Sequence, residues 1–452
     1  MKKEDALEKI YYGEETKKAL QNFGRDLLPS ELIKAYGEVK LAVLSAIQEV
    51  EKRYNEKEWY ALKTACEEVI SGELNDQFPL PLYQGGAGTS INMNVNEVIA
   101  NRANELYKES RFHPINDVNA YQSTNDTFPT AIAIVLYRKL LEAEENVIKL
   151  QETLIKKENE LGRILIAGRT EMQDALPITL GQVFGSWAGM IERDRWRIHK
   201  LKERIRTIPL GGTAIGTGYP VPQLVIFASE KYIREITKLP LSRSQNLPDE
   251  IANQDKWSEL ASVIKIIAEN LYKITGDLLL YTSSLSGELK HPELQYGSTI
   301  MAAKTNPVIL EYTRGIAISI KHECEKISSY CENGQLQLNP YTPFILDSFL
   351  KVFDCLNKAI NTFIDKFIFL FEINKKRIEE NLIRSNIILN GLVGLIGYEK
   401  VKEIYRIVEE KGVNTIEGLK EIIINNSRLS KEEVDFYLDP LNLSSFWRKW
   451  KK

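Results

Sequence analysis

The sequence is poor in the residues that build metal centres and disulfides. It has four cysteines and four histidines among 452 residues, and they stand apart from one another. Because there is no CxxC motif and no Cys/His cluster, we expect neither a zinc site nor another metal centre. We interpret the cysteines as buried reduced thiols, which predicts a cytoplasmic protein.

Long apolar runs and an excess of one charge are also missing. Lys, Arg or Glu interrupts every hydrophobic run, so no membrane span is expected. Residues 1–20 lack the apolar middle region of a signal peptide. The net charge is only −3, with acids and bases interspersed, which argues against nucleic acid or an anionic membrane as an obligatory partner.

Helix-period patterns dominate what is present. Apolar residues recur at steps of three and four over residues 130–162, 257–285, 307–333 and 341–372. Strand-like signals are few and short, and no βαβ alternation occurs, so the predicted fold is all-α. Helices of this length are typical of a bundle that packs them against one another or against other subunits.

Modest changes of composition suggest where the chain divides. Turn residues and polar tracts thin out after about residue 130, and a region of shorter helices begins near residue 376. We therefore predict a mainly helical N-terminal domain over 1–125, a central domain of long helices over 126–375, and a small helical C-terminal domain over 376–452.

Polar loops precede four of the predicted helices. They read QGGAGTSIN (84–92), QSTND (122–126), GRTEMQDALP (168–177) and GSTIMAAKTNP (297–307). A helix cap is worth about 1 kcal/mol and needs one polar residue, whereas each loop carries three or more. An excess of donors at a helix N-terminus forms an anion site, and two such sites converging would suit a dicarboxylate. In the last loop, Asn306 and Pro307 fit the N-cap and first helical positions.

A fifth stretch, PLGGTAIGTGYP (209–220), is rich in glycine. Its spacing does not match a dinucleotide fingerprint and no strand is predicted before it, so we interpret it as a tight turn near the site.

These motifs, in this order, resemble the fumarase/aspartase superfamily of lyases, and are most similar to its aspartate ammonia-lyases and class II fumarases. GSTIMAAKTNP resembles the mobile loop of the superfamily, which has the pattern GSSxMPxKxNP. Together the motifs that resemble the superfamily cover most of the chain. The resemblance implies a three-domain all-α fold and a homotetramer whose central domains form a helical core. It also implies active sites assembled from three subunits, and elimination from a small dicarboxylate amino acid to release fumarate.

The resemblance also assigns roles by position. It implies that Ser298 is the base, acting as an oxyanion, and that Lys304 and Asn306 hold the carboxylate next to the abstracted proton. Glu171 completes the catalytic set. The implied substrate-binding residues are Thr89, Ser90, Asn92, Ser123, Thr124, Asn125, Thr170 and Asn306. The implied loop and supporting residues are Gly297, Thr299, Met301 and Glu311. Glu311 can equally be a first-turn acid that complements the helix dipole. No cofactor or metal ligand is expected, although activation by a divalent metal ion stays open.

Two departures from the family pattern bear on the substrate. Glu171 stands where fumarases carry His and aspartases carry His or Gln. A carboxylate beside a dianionic substrate is unfavourable unless a positive group lies between them, and an α-ammonium group supplies that charge. This favours release of ammonia from L-aspartate or a close derivative. Ala302 and Ala303 replace the Pro-containing part of the loop, which changes its stiffness. Three alternatives stay open: fumarate hydratase, a lyase for an N-substituted aspartate, and a catalytically silent homologue.

Overall fold

A computed structural model describes residues 9–385 and 387–444 of the chain. Helices hold 67% of the residues and the strands are short, so the predicted all-α fold is confirmed. In chain order the helices are α1 (Glu14–Phe23), α2 (Ser30–Glu51), α3 (Glu56–Ser71), α4 (Thr89–Tyr107), α5 (Thr124–Glu160), α6 (Leu180–Ile205), α7 (Gln223–Thr237), α8 (Leu247–Ala252), α9 (Asp255–Thr282), α10 (Val308–Glu332), α11 (Thr342–Phe363), α12 (Lys375–Arg384), α13 (Ile387–Asn390), α14 (Val393–Ile396), α15 (Tyr398–Glu410), α16 (Ile416–Asn426), α17 (Lys431–Tyr437) and α18 (Pro440–Leu443).

Six short strands form three two-stranded sheets in the part of the chain that the structure describes. The pairs are β1 (Leu165–Thr170) with β2 (Gln173–Thr179), β3 (Thr207–Ile208) with β4 (Ser242–Arg243), and β5 (Leu289–Lys290) with β6 (Glu372–Ile373). The first and third pairs are antiparallel and the second is parallel. These strands are local ribbons between helices, so they do not change the fold class.

The long helices follow the apolar periodicity of the sequence. The segments predicted at 130–162, 257–285 and 307–333 correspond to α5, α9 and α10. The segment predicted at 341–372 is α11, followed by a π-helical turn over Ile364–Ile368. None of the helices within the described ranges combines the length and the apolar composition that crossing a membrane requires.

The chain forms two compact units, each built from three stretches. The first unit comprises Met1–Glu144, Arg197–Lys265 and Ile320–Cys355, and the second unit comprises Glu145–Trp196, Ile266–Ser319 and Leu356–Lys452. The division into three domains near residues 126 and 375 stays a prediction. The ends of its outer domains, residues 1–8 and 445–452, lie outside the described residues.

The core of the first unit is centred on α2, which packs against α3 and α7. α3 begins at a capping box, in which the Asn55 side chain accepts from the backbone of Glu58 while the Glu58 carboxylate accepts from the backbone of Asn55. Tyr36 of α2 lies 5.9 Å, ring centre to ring centre, from Phe128 of α5. This contact holds the first turns of α5 against α2.

Aromatic side chains build the core of the second unit. Phe184 and Trp187 of α6 make an edge contact at 4.9 Å, and Phe184 stacks on Phe371 at 5.7 Å. The indole Nε1 of buried Trp187 donates a hydrogen bond to Asp277 of α9 at 3.1 Å. In the same unit, the β1–β2 hairpin contacts α12 and α13.

Candidate active site

The N-terminal turns of α4 and α5 meet in the first unit. The Nδ2 of Asn92, in the first turn of α4, donates a hydrogen bond to the Oγ1 of Thr124 at 3.1 Å. Gly88, directly before α4, has φ 87°, and a Cβ added there would lie 2.9 Å from the Phe128 ring. Only glycine fits this close approach and this backbone conformation. Two polar loops that are far apart in the sequence therefore share one surface.

Asp126 connects the QSTND loop (122–126) to the glycine-rich turn (209–220) through hydrogen bonds. One carboxylate oxygen accepts from the backbone N–H of Ser123 at 3.0 Å, and the other accepts from Gly211 at 3.2 Å and Thr213 at 2.9 Å. The Asn125 side chain donates to a carbonyl oxygen of the same turn at 2.8 Å. Complete burial raises the pKa of Asp126 to about 6, although the three backbone hydrogen bonds lower it.

Six of the predicted substrate-binding residues lie in or directly before the first turns of α4 and α5. The Thr89 hydroxyl donates to the Gly86 carbonyl at 2.6 Å, and the Ser123 Oγ accepts from the Asn125 backbone at 3.1 Å. The six residues are Thr89, Ser90, Asn92, Ser123, Thr124 and Asn125. The structure thus brings together the polar groups of two helix N-termini, where backbone N–H groups and the helix dipole favour an anion.

The surroundings of Thr170 and Glu171 differ from the expectation of a polar loop at a helix N-terminus. β1 and β2 pair from Leu165 opposite Thr179 to Thr170 opposite Gln173, and Glu171 and Met172 form the two-residue turn between them. Both turn residues have positive φ, 52° and 66°. Such a turn normally contains Asn or Gly, so the sequence carried no turn signal here. The Glu171 side chain is exposed at the tip of this hairpin.

Arg169 anchors the hairpin at its base. Its guanidinium forms two hydrogen bonds to Glu288, at 2.9 and 2.8 Å, and one to Asp174 at 3.0 Å. The Glu288 side chain is 1% exposed, and Asn381 donates to it at 3.0 Å. The pairing with Glu288 raises the pKa of Arg169, although burial opposes this. This bidentate ion pair fixes the position of β1, the strand that ends at Thr170.

A cavity of about 730 Å³ lies beside the hairpin within the second unit. Arg169, Glu171, Trp187, Asp277 and Tyr281 are among the residues that line it, so its wall is both polar and aromatic. Burial raises the pKa of Tyr281 to about 12, which keeps the phenol neutral and able to donate.

The Ser298 hydroxyl lies in a loop that is closed on itself. Its Oγ accepts hydrogen bonds from the backbone N–H groups of Ile300 at 3.2 Å and Met301 at 3.0 Å. Gly297 donates to the carbonyl oxygen of Lys304 at 3.1 Å, which brings the two sides of the loop together. A Cβ at Gly297 would lie 2.3 Å from that oxygen, so the closure requires glycine. Two N–H donors on one hydroxyl oxygen stabilise negative charge there.

The end of this loop corrects one detail of the sequence analysis. α10 begins at Val308, and the Asn306 side chain donates to the Gly297 carbonyl at 2.8 Å instead of capping the helix. Glu311 lies in the exposed first turn of α10, and the Thr299, Met301 and Lys304 side chains are exposed.

The predicted residues therefore fall into two groups. The first unit holds the residues of the α4 and α5 turns, and the second unit holds the hairpin tip and the Ser298 loop. The roles assigned to them remain predictions. Across residues 9–385 and 387–444, no group of three or more His, Cys, Asp or Glu side chains is arranged to hold a metal ion.

Sequence reasoning missed Lys40 and Glu288, and it placed Arg169 in the third polar loop without assigning it a role. A signal for Lys40 was available, because it interrupts an otherwise apolar stretch, Val39–Val43, in the middle of a helix. No comparable signal marks Glu288, whose partner Arg169 lies 119 residues away in the chain.

A family model described as "Lyase" matches residues 7–321, well over half of the chain. The chain belongs to the fumarase/aspartase superfamily. The resemblance found in its motifs is thereby confirmed, and the protein is a lyase.

The similar proteins carry the names of two different activities. An aspartate ammonia-lyase from Bacillus sp is 35% identical over 445 residues, covering 96% of this chain and 94% of the relative. A class II fumarate hydratase from Bacillus subtilis (strain 168) is 33% identical over 444 residues, covering 95% and 94%. The relatives named aspartate ammonia-lyase support a carbon–nitrogen lyase, whereas sequence identity alone does not separate the two activities.

Solved structures of the superfamily share the fold. A fumarate lyase:delta crystallin from Brucella melitensis, crystallised with cobalt bound, has a TM-score of 0.89 and 31% identity, covering 98% of this chain and 99% of that chain. A class II fumarase from Schistosoma mansoni has a TM-score of 0.86 and 27% identity, covering 97% and 96%. The superfamily lyase described here therefore has the fold of these enzymes over nearly its whole length.

Proposed function

We propose that this lyase eliminates ammonia from L-aspartate, or from a close aspartate derivative, and releases fumarate. The observation that carries the proposal is the position of the Ser298 oxygen, which accepts hydrogen bonds from the N–H groups of Ile300 and Met301. Removal of a proton from carbon next to a carboxylate requires a strong base. Backbone donors aimed at a serine oxygen lower the energy of its alkoxide form, and loop closure that excludes water strengthens the effect.

The elimination proceeds in two stages. The Ser298 alkoxide takes the Cβ proton of the substrate, and the C–H electron pair passes into the neighbouring carboxylate to form a doubly charged aci-carboxylate. Lys304 and the second amide hydrogen of Asn306 donate to that group, and each well-aimed donor is worth roughly 3 kcal/mol. The electron pair then returns to form the Cα–Cβ double bond while the C–N bond breaks. Its bonding pair leaves with nitrogen as ammonia.

The other substrate carboxylate is assigned to the polar surface at the beginnings of α4 and α5. There Thr89, Ser123 and Thr124 supply hydroxyl groups, and the helix N-termini supply positive potential. Together these groups favour binding of an anion.

Glu171 supports ammonia as the leaving group. Its exposed carboxylate at the hairpin tip would repel a dianionic substrate that carries only a hydroxyl group, such as malate. An α-ammonium group placed between the two carboxylates removes that repulsion.

We also propose that the enzyme is a homotetramer in which three subunits contribute to each active site. Membership of the fumarase/aspartase superfamily supports this, since the resemblance of the motifs implies such an assembly. The test is to mix two variants and allow subunit exchange: Ser298→Ala, which is expected to be inactive, and Thr124→Val, which is assayed at L-aspartate well below its raised KM. Shared sites predict that the mixture turns over faster than the mean of the two separate variants, because some sites then receive Thr124 from one subunit and Ser298 from another. Turnover equal to that mean contradicts shared sites.

The activity itself is tested with a substrate panel. Purified enzyme with saturating L-aspartate should produce the ultraviolet absorbance of fumarate, and a flat trace would reject the proposal. L-malate tests the second candidate, fumarate hydratase, which relatives bearing that name at 33% identity support. Activity with L-malate alone would establish that candidate instead.

A third candidate is a lyase that releases a larger amine from an N-substituted aspartate. The cavity of about 730 Å³ beside Glu171 supports it, because pockets of this size hold ligands larger than a four-carbon acid. Mass spectrometry of the products distinguishes the released amine from ammonia. A catalytically silent homologue would release neither product from any substrate in the panel.

A further inference from the structure

Lys40 is a buried cation that the proposed mechanism does not use. It lies in the middle of α2 with no exposed surface. Its Nζ donates three hydrogen bonds, all to side-chain amide oxygens: Asn92 at 2.8 Å, Asn119 at 3.0 Å and Gln122 at 3.0 Å. An ammonium group has three donors and no acceptor, so its full hydrogen-bonding capacity is used by these three amides.

Burying this ammonium group is costly. Burial lowers the pKa of Lys40 to about 7, although the Asp126 carboxylate opposes the shift. A Met or Leu side chain would fill the same space in α2 without that desolvation penalty. Buried ionic groups of this kind can serve to fix one arrangement of their neighbours, and the arrangement here is that of the three amides.

Lys40 determines which way the Asn92 amide points. Because the Asn92 oxygen accepts from Lys40, its NH₂ group must point the other way. There it donates to the Asn119 oxygen and to the Thr124 hydroxyl, both at 3.1 Å. If the Asn92 amide were reversed, its NH₂ group would face the Lys40 ammonium group, and two donors cannot form a hydrogen bond with each other. The orientation in the structure is therefore strongly favoured.

The Asn92 amide in turn determines the direction in which the Thr124 hydroxyl can donate its hydrogen. Its oxygen already accepts the N–H of Asn92. Within the residues that the structure describes, no group accepts the hydrogen of this hydroxyl. Thr124 is the first residue of α5, where the helix dipole attracts negative charge. The hydroxyl is thus prepared to donate to an anion.

We propose that Lys40 is a positioning residue for substrate binding: through Asn92 it holds the Thr124 hydroxyl as a hydrogen-bond donor to a substrate carboxylate. This role rests on the proposed function, since it assumes that the α4 and α5 turns bind a dicarboxylate. It adds a residue that does not touch the substrate and that no sequence motif indicated.

The test is carried out at pH 6, where Lys40 is an ammonium group with all three donors. It measures binding of succinate, a dicarboxylate that cannot undergo the elimination, together with KM and kcat for L-aspartate. Lys40→Met should raise the succinate dissociation constant and KM about tenfold, the effect of losing one hydrogen bond to a charged group. It should change kcat by less than about threefold. Thr124→Val should show a similar loss, and the double variant should be no worse than either single variant, because both act on one hydrogen bond.

A second variant covers the event that Lys40→Met does not fold. Asn92→Asp keeps an oxygen acceptor for Lys40 but has no N–H for Thr124, so the hydroxyl turns toward the new carboxylate. Asn92→Asp should weaken succinate binding about tenfold or more while retaining the native circular dichroism spectrum.

The matched control for Lys40→Met is Arg138→Met, which leaves the buried Glu38 of α2 without its ion pair. It should lower stability without altering succinate affinity.

Two outcomes overturn the proposal and are distinguishable. If the wild type turns over L-aspartate and binds succinate, while Lys40→Met and Asn92→Asp bind it equally tightly, only the role of Lys40 is wrong. If the wild type neither binds succinate nor releases fumarate, the proposed function fails, and the role of Lys40 fails with it.

Discussion

The side-chain amide of Asn306 donates a hydrogen bond to the carbonyl oxygen of Gly297 at 2.8 Å, tying the end of the Ser298 loop to its beginning. The backbone N–H of Gly297 also donates to the carbonyl of Lys304 at 3.1 Å. The serine and the lysine assigned to the reaction therefore lie on one small closed loop, whose shape depends on the absence of a side chain at residue 297.

Gly297→Ala should damage catalysis more than stability. The added Cβ would lie 2.3 Å from the Lys304 carbonyl oxygen, so the loop must open and the Ser298 oxygen loses its alignment with the substrate. We expect kcat for L-aspartate to fall about 100-fold, because small misplacements of reacting groups are that costly. Steady-state kinetics and thermal unfolding measure the two effects.

Gly315→Ala is the matched control for this prediction. Gly315 lies on the exposed face of α10, and nothing lies within 4 Å of a Cβ added there. It should leave kcat unchanged and raise stability by about 0.5–1 kcal/mol through helix propensity. Equal kinetic losses in the two variants would show that the closure of the loop is not what matters.

Glu171→Gln should alter the choice of leaving group. Removing the carboxylate at the hairpin tip removes its attraction for an α-ammonium group and its repulsion of a substrate without one. We expect kcat/KM for L-aspartate to fall about tenfold relative to that for L-malate. Kinetics with both substrates give the ratio, and Gln173→Ala, in the strand next to the tip, is the control. An unchanged ratio would remove Glu171 from substrate selection.

Arg169→Met should destabilise the second unit through Glu288. The Glu288 side chain is 1% exposed and would be left as an unpaired buried carboxylate. Breaking such a pair costs about 3 kcal/mol, whereas Arg169→Met combined with Glu288→Leu removes both charges and should recover most of that loss. Urea unfolding at a fixed protein concentration measures both variants. A double variant as unstable as the single one would show that packing, not the charge, sets the cost.

Stability should rise with pH because of Lys40. Its pKa is about 7 in the folded chain and 10.5 ordinarily, so between these values the unfolded chain binds a proton that the folded chain lacks. In that window the free energy of unfolding gains up to about 1.4 kcal/mol per pH unit from this group, and below pH 7 the full penalty of burying the charge applies.

Of the neighbours of Lys40, Asp126 has a pKa of about 6 and is already ionised in the window. Cys66 stays a thiol in the folded chain, where burial raises its pKa to about 12, but ionises near its ordinary value of 9.0 in the unfolded chain, so it opposes the gain near pH 9 and above. Lys40→Met retains both groups, so the comparison with this variant isolates the contribution of Lys40. Urea unfolding of the wild type and of Lys40→Met at pH 7, 8 and 9 tests the prediction. The wild type should gain stability relative to the variant at each step, and parallel pH profiles would contradict it.

The long helices were predictable because the apolar residues that pack them recur at regular intervals in the sequence. Apolar residues at steps of three and four located α9 and α10 to within about three residues, and α5 to within about six. The hairpin around Glu171 was not predictable, because residues with positive φ there are Glu and Met instead of Asn and Gly. The end of the Ser298 loop was misjudged for a related reason, since Asn306 is a good cap by type but bonds to Gly297 instead.

The polar residues of the site were predictable individually but not as an arrangement. The surplus of donors before α4 and α5 marked both loops, yet only the fold shows that Asn92 contacts Thr124 across 32 positions of sequence. Lys40 was overlooked because a lysine in a helix is normally solvated. Its burial follows from α2 packing against α3 and α7, and the apolar stretch Val39–Val43 around it was the only local sign of this.

The most direct test of the account is the rate of fumarate release from L-aspartate by the wild type and by Ser298→Ala, with succinate binding as the check on the folded site. If Ser298 removes the Cβ proton, the wild type releases fumarate. The variant then loses at least about 1,000-fold in kcat while it binds succinate within about threefold of the wild type. Equal rates of fumarate release by the two proteins would contradict the account, because the proton would then be removed by another group.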